Sequence, residues 1–285
     1  MTEWAPVVYG RTLVADQWWR ALPAGLHPGH WVARVVLDTV ANGAGLARPR
    51  SGPGSEWLYA PRMTFARGAE GTLVGVACRA RQLDENLCQD RHGRELYCFV
   101  GWFTADPAAA GIPPQAALAP GPESWAGATY REYAADVWGT PAAALSILES
   151  KRGRPPWEAA PAPAPPVPDG PVNLPRTLDS TSPGHVMVFR SADAAGLWTR
   201  ANEAPGPFIL VTGWRQARQA PLERITVLTA DDVTKAEAVP RPSTPVAHQD
   251  PPARQARRPG LLSRITNSVF GAAGGHVGDQ PPGGA

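Results

Sequence analysis

Lysine is almost missing from this chain. Only Lys151 and Lys235 occur, and arginine supplies nearly all the positive charge. The net charge is +2 over 285 residues. A field that weak does not hold nucleic acid across a whole molecule. Cysteine is scarce too. Cys78, Cys88 and Cys98 are evenly spaced, odd in number and without a close pair. That spacing argues against a disulfide framework and offers no paired thiolates for zinc. The three are expected as small buried hydrophobes in a reducing compartment. No apolar run reaches the roughly 18 residues of a membrane span. The opening residues, MTEWAPVVYG, carry neither a basic nor an apolar leader region, so a cytoplasmic location is expected. The nucleotide-loop, zinc-protease and serine-hydrolase signatures are absent, so neither a cofactor nor a metal site is expected.

What the chain has in excess is proline and glycine, 33 and 29 residues. That share is too large for one compact globule and points to linker-like segments. Hydrophobic residues make up 43%, enough for a core elsewhere. Four regions follow. Residues 1–157 read as an α+β domain. Residues 158–184 are a Pro-rich linker of polyproline type. Residues 185–235 read as a small α/β module of order β-α-β-β. Residues 236–285 read as a disordered tail.

Within the first region VVYG is a short strand ended by Gly10. Asp16 to Leu22 reads as a short helix or a loop, and His30 to Val40 fits either a helix or a strand. Thr72 to Leu83 alternates as a strand. Glu95 to Phe103 is apolar on both faces, so it should lie centrally and be covered on both sides. The two pair as an antiparallel hairpin around Gly93. Helices are expected over Gly121 to Gly139 and, opened by Thr140-Pro141, over PAAALSILESKR with Leu145 and Leu148 inward. The fold class is therefore an antiparallel sheet with helices on one face, followed by the small α/β module.

Candidate site residues cluster in the hairpin. Asp90-Arg91-His92-Gly93-Arg94 has turn chemistry: Asp opens a turn and Gly accepts positive φ. Asp90 or His92 as acid or base, with Arg79, Arg81 and Arg94 as anion contacts, is the alternative enzymatic or nucleotide-sensing use. Arg62, Arg67, Arg79, Arg81, Arg91 and Arg94 read as a solvated polar face or a basic sheet edge. Trp18, Trp19, Trp125 and Trp138 are either core or interface anchors. In the tail, Leu261, Leu262, Ile265, Val269 and Phe270 share one helical side near four arginines, a pattern that suits docking to a partner groove or a membrane surface.

Tyr9-Gly10-Arg11, followed by Asp90, Gly93, Arg94 and the aromatic strand Leu96 to Phe103, resembles the N-terminal domain of bacterial GTPase-associated proteins. Similar constant components occur in multi-gene NTPase-centred conflict systems. After Arg94 the chain reads Glu95-Leu96-Tyr97 and departs from that pattern. The resemblance covers at most the first region. It implies a non-enzymatic accessory protein with a protein partner, an NTPase, and no catalytic residue.

Overall fold

The computed structural model describes residues 2–15, 18–45, 61–118, 121–158, 184–204 and 206–241. Most of the expected linker and nearly all of the expected tail lie outside the described residues.

Among the described residues, ten strands form one sheet. They are β1 (Ala5–Gly10), β2 (Trp18–Pro23), β3 (Arg62–Gly68), β4 (Gly71–Arg79), β5 (Tyr97–Thr104), β6 (Leu148–Ser150), β7 (His185–Arg190), β8 (Phe208–Trp214), β9 (Val227–Ala230) and β10 (Glu237–Pro240). The spatial order is β10-β7-β9-β8-β3-β4-β5-β1-β2-β6. From β8 to β2 every neighbour pair is antiparallel, whereas β7, β9 and β8 are mutually parallel. Among the described residues, four α-helices accompany them: α1 (Trp31–Gly45), α2 (Gln115–Leu118), α3 (Ala128–Ala134) and α4 (Ala194–Glu203).

The hairpin forms as its alternation requires. Cys78 faces Cys98 and Val74 faces Trp102 across β4 and β5. All eight residues of β5 are buried. One face carries Val74, Val76, Cys78, Val100 and Trp102; the other carries Leu73, Ala77, Tyr97, Phe99 and Phe103. A sheet apolar on both faces must be covered on both.

Accordingly the helices do not lie on one face, which corrects the expectation from sequence. α1 covers the Leu73–Phe99 face with Val32, Val35, Val36 and Val40. Each such valine contributes about 1.5–3 kcal/mol by burial. The helix starts where His30 Nδ1 accepts the Val32 N–H at 3.3 Å, which supplies a capping acceptor. α3 and α4 cover the opposite face, with Tyr130, Leu197 and Trp198 in that core. All three cysteines are free thiols and buried.

Two further expectations fail locally. Trp18 to Pro23 is strand β2, paired antiparallel with β1, where a helix or loop was expected. PAAALSILESKR is not a helix: it holds a short 3₁₀ turn at Ala142–Ala144 and then β6. Its alanines favour a helix, but pairing with β2 along Ala21 to Pro23 prevails. Leu148 is then 42% exposed rather than inward.

Residues 185–235 join the same sheet, because β8 pairs with β3 from Thr64 to Arg67. Residues 237–240, read from sequence as tail, form β10 against β7. α4 is strapped to the segment before α2: Trp198 Nε1 donates to Pro113 O at 2.9 Å and Asn202 Nδ2 to Ile112 O at 3.2 Å. Arg67 completes the strap. It is 6% exposed and donates to Ala204 O (2.6 Å), Ala109 O (3.1 Å) and Ala201 O (3.4 Å). A buried cation against the last carbonyls of a helix also suits the helix dipole. Among the described residues, no helix is long and apolar enough to cross a membrane.

Candidate functional site

The connection from β4 to β5 is built from nested polar turns. Arg79 N donates to Gln82 Oε1 at 3.1 Å, and Asp84 Oδ1 accepts the N–H groups of Asn86 and Leu87. These are side-chain-closed turns of the kind Asp and Gln favour. Gln89 then bridges to Glu95, which leaves Asp90 to Arg94 as the tip.

Asp90 organises that tip. Its Oδ1 accepts the backbone N–H of His92 (2.9 Å) and of Arg94 (3.0 Å). Its Oδ2 accepts from Arg94 Nε at 2.6 Å and pairs with Arg94 Nη2 at 2.6 Å. Gly93 has φ of 73°, the left-handed value the turn needs. Asp90 is 8% exposed, covered by its own turn. Desolvation pushes its carboxyl pKa upward, but the backbone donors of Arg94 and His92 and the Arg94 guanidinium outweigh that. The carboxyl is therefore held below its ordinary value.

The remaining candidates fall into separate contacts. Arg79 and Arg81 both pair with Glu95, at 3.0 Å each. His92 Nε2 accepts from Arg91 Nε at 3.2 Å. Arg62 and Arg67, read from sequence as part of a solvated face or basic edge, are both buried. Arg62 stacks over Trp214 at 4.0 Å and donates to Thr39 O on α1. Trp19 is buried against Tyr9, and Trp125 is buried between Trp102 and Trp157. Both are packed into the core. Trp138 is partly buried against the core, and its carbonyl accepts the Leu13 N–H at 3.2 Å. The Trp18 side chain and the tail residues Leu261, Leu262, Ile265, Val269 and Phe270 lie outside the described residues.

What the sequence did not disclose is the other wall of the site. β1 and β5 are antiparallel neighbours with Gly10 opposite Cys98. Residues leaving β1 therefore emerge beside residues entering β5. The loop after Gly10 closes on itself, with Thr12 N to Ala15 O at 3.1 Å and Ala15 N to Thr12 Oγ1 at 3.1 Å. It is pinned to the tip by Arg91 N to Leu13 O at 3.0 Å. Between loop 11–15 and turn 90–94 lies a notch of about 150 Å³, walled by Arg11, Arg91, His92 and Arg94 on the polar side and by Leu13 and Val14 on the apolar side. The residues of the Tyr-Gly-Arg and Asp-x-x-Gly-Arg stretches thus meet at one place.

A broader groove of about 560 Å³ lies at the other end of these strands, near Glu3, Asp106 and Arg152. The Asp106 carboxylate is engaged there by Ala108 N (2.8 Å) and Thr2 Oγ1 (3.4 Å). Among the described residues, no group of three or more His, Cys, Asp or Glu is placed to hold a metal ion. No protein-family model matches the chain, and no curated protein matches it.

Proposed function

We propose that this chain is a non-enzymatic accessory protein of a bacterial NTPase-centred system, acting through protein–protein contact, with the notch between loop 11–15 and turn 90–94 as one contact point. One observation carries the reading. Both oxygens of Asp90 are engaged inside the turn, one by two backbone N–H groups and one by Arg94. A carboxylate so engaged, with its pKa lowered, is a poor proton acceptor near neutrality. His92 likewise directs Nε2 at Arg91. What faces outward is a rigid cationic surface beside the exposed side chain of Val14, which suits recognition better than proton transfer.

The alternative is an enzyme or nucleotide sensor using Arg79, Arg81, Asp90 and Arg94. Two observations weigh against it. Arg79 and Arg81 are already paired with Glu95. The notch, at about 150 Å³, falls short of the roughly 300 Å³ at which small-molecule pockets begin. The small β-α-β-β module enters this reading as a brace, because β8 covers the open edge of β3.

Co-expression with the products of the neighbouring genes tests the proposal. The expected result is a complex with an NTPase that survives gel filtration, and no nucleoside triphosphate turnover by the purified chain. Turnover by the chain alone, abolished by Asp90→Asn, would overturn it.

A further inference from the structure

The notch has a charge and a size that specify its ligand more narrowly than contact alone. We propose that it receives a single carboxylate of an acidic protein segment, with Arg91 as the recognising cation. The inference takes its partner class from the accessory reading, but its chemistry stands on the residues.

The lining holds three arginines, Arg11, Arg91 and Arg94, and one carboxylate, Asp90. Arg94 is committed to Asp90 by its Nε and Nη2. Arg91 is placed differently. Its backbone N–H is tied to Leu13 O, so its Cα cannot drift. Its Nε donates to His92 Nε2, which fixes one edge of the guanidinium. Arg91 takes part in none of the ion pairs among the described residues. The edge formed by Nη1 and Nη2 is left for a ligand. That planar pair of donors matches the two oxygens of a carboxylate, the bidentate geometry that favours Arg over Lys.

The apolar flank adds a second criterion. Val14 is 40% exposed beside this cation. A Glu or Asp side chain brings methylene carbon as well as charge, and Val14 can pack on it. Inorganic phosphate brings none. Size gives the third criterion. At about 150 Å³ the notch is about half the size at which small-molecule pockets begin. That is room for the head of one side chain, while the rest of the segment lies across the surface. Both walls are pre-formed by hydrogen bonds, so little ordering is required on binding.

Fluorescence anisotropy with fluorescein-labelled octaglutamate tests this on the full chain. Octaglutamate should bind, and binding should weaken with added salt. Octaglutamine should not bind. Arg91→Gln should weaken octaglutamate binding by about tenfold or more, the loss of one bidentate pair. Arg91→Lys should restore only part of it. Arg218→Gln, which removes an exposed arginine elsewhere, should leave it unchanged. Three outcomes would overturn the inference: no octaglutamate binding, equal losses in Arg91→Gln and Arg218→Gln, or equal binding of octaglutamine. Displacement by inorganic phosphate, where acetate at the same concentration has no effect, would also overturn it by making the notch a phosphate site. The two readings fail separately. A complex with an NTPase that is indifferent to Arg91→Gln removes the carboxylate site and keeps the accessory role. Octaglutamate binding with no such complex does the reverse.

Discussion

Replacing Arg67 by methionine tests whether the α4 strap stabilises the fold. The guanidinium makes two well-formed bonds, to Ala204 O at 2.6 Å and Ala109 O at 3.1 Å, and a longer one to Ala201 O at 3.4 Å. Bonds of this kind to a charged group contribute about 1.5–3 kcal/mol each. Two of them give about 3–6 kcal/mol gross. Against that stands the cost of burying the charge. Desolvation lowers the Arg67 pKa, partly offset by Asp106, and the buried Nε has no hydrogen-bond partner. Removing the cation returns that cost, about 2 kcal/mol in a site of this depth. Arg67→Met keeps an unbranched stem but gives up the guanidinium's place over the Phe65 and Phe208 rings, so the expected loss is about 1–4 kcal/mol. Arg67→Lys, with one donor head for three carbonyls, should lose about 1–2 kcal/mol. Urea unfolding followed by tryptophan fluorescence measures both, with the midpoint lowered and the slope unchanged. A methionine variant as stable as the parent, or more stable, would refute the reasoning. It would mean that desolvation outweighs the carbonyl bonds, as it does when some buried ion pairs are replaced by hydrophobes.

The Asp90 turn has a pH signature. Its folded-state pKa lies below the unfolded value, so its contribution is present above the unfolded pKa of about 4 and is lost as pH falls through the folded value. Asp90→Asn should cost about 1–2 kcal/mol at neutral pH, and urea titrations should show the gap from the parent closing below about pH 4. A gap that does not change with pH would count against the assigned hydrogen bonds. Gly101 faces Gly75 across β4 and β5. A Cβ at Gly101 would stand 2.7 Å from Phe99 Cε1 and 2.8 Å from Val74 O. Gly101→Ala should therefore lose about 3 kcal/mol by overpacking, read as a fall in Tm, and a neutral result would mean that the Phe99 ring lies elsewhere.

Legibility tracked the range over which each choice was made. The β4–β5 hairpin and its tip were readable because alternation and turn chemistry are local: Asp90 opens the turn and Gly93 takes the positive φ, as their residue types imply. β2 and β6 were not readable. Each is short, and its conformation is decided by a neighbouring strand rather than by its own residues. The two-sided apolarity of β5 already demanded cover on both faces, yet helices on one face were expected; the demand is met by α1 opposite α3 and α4. Arg62 and Arg67 misled because arginine is ordinarily solvated. Here carbonyls and aromatic rings replace water around them. At the site, turn 90–94 was visible but loop 11–15 was not. Their meeting depends on β1 pairing with β5, whose partners lie far apart in sequence.

The pairing of β3 with β8 has a consequence for how the chain reaches this state. Phe65 faces Leu210, about 145 positions later, and every residue of that interval must be synthesised before the two can meet. Until then β3 has β4 on one side and an open row of amides and carbonyls on the other. α4 is missing over the same period, so Arg67 waits without Ala201 and Ala204, and the Phe65 ring waits without Trp198. Contacts this distant close slowly. A strand with a free edge is also a part of a nascent chain prone to pair with a neighbour. Yield in expression is then set by a race between translation through residue 214 and association of unfinished chains. Slower initiation or lower temperature, which thins out unfinished chains, favours the native sheet without altering any contact in it.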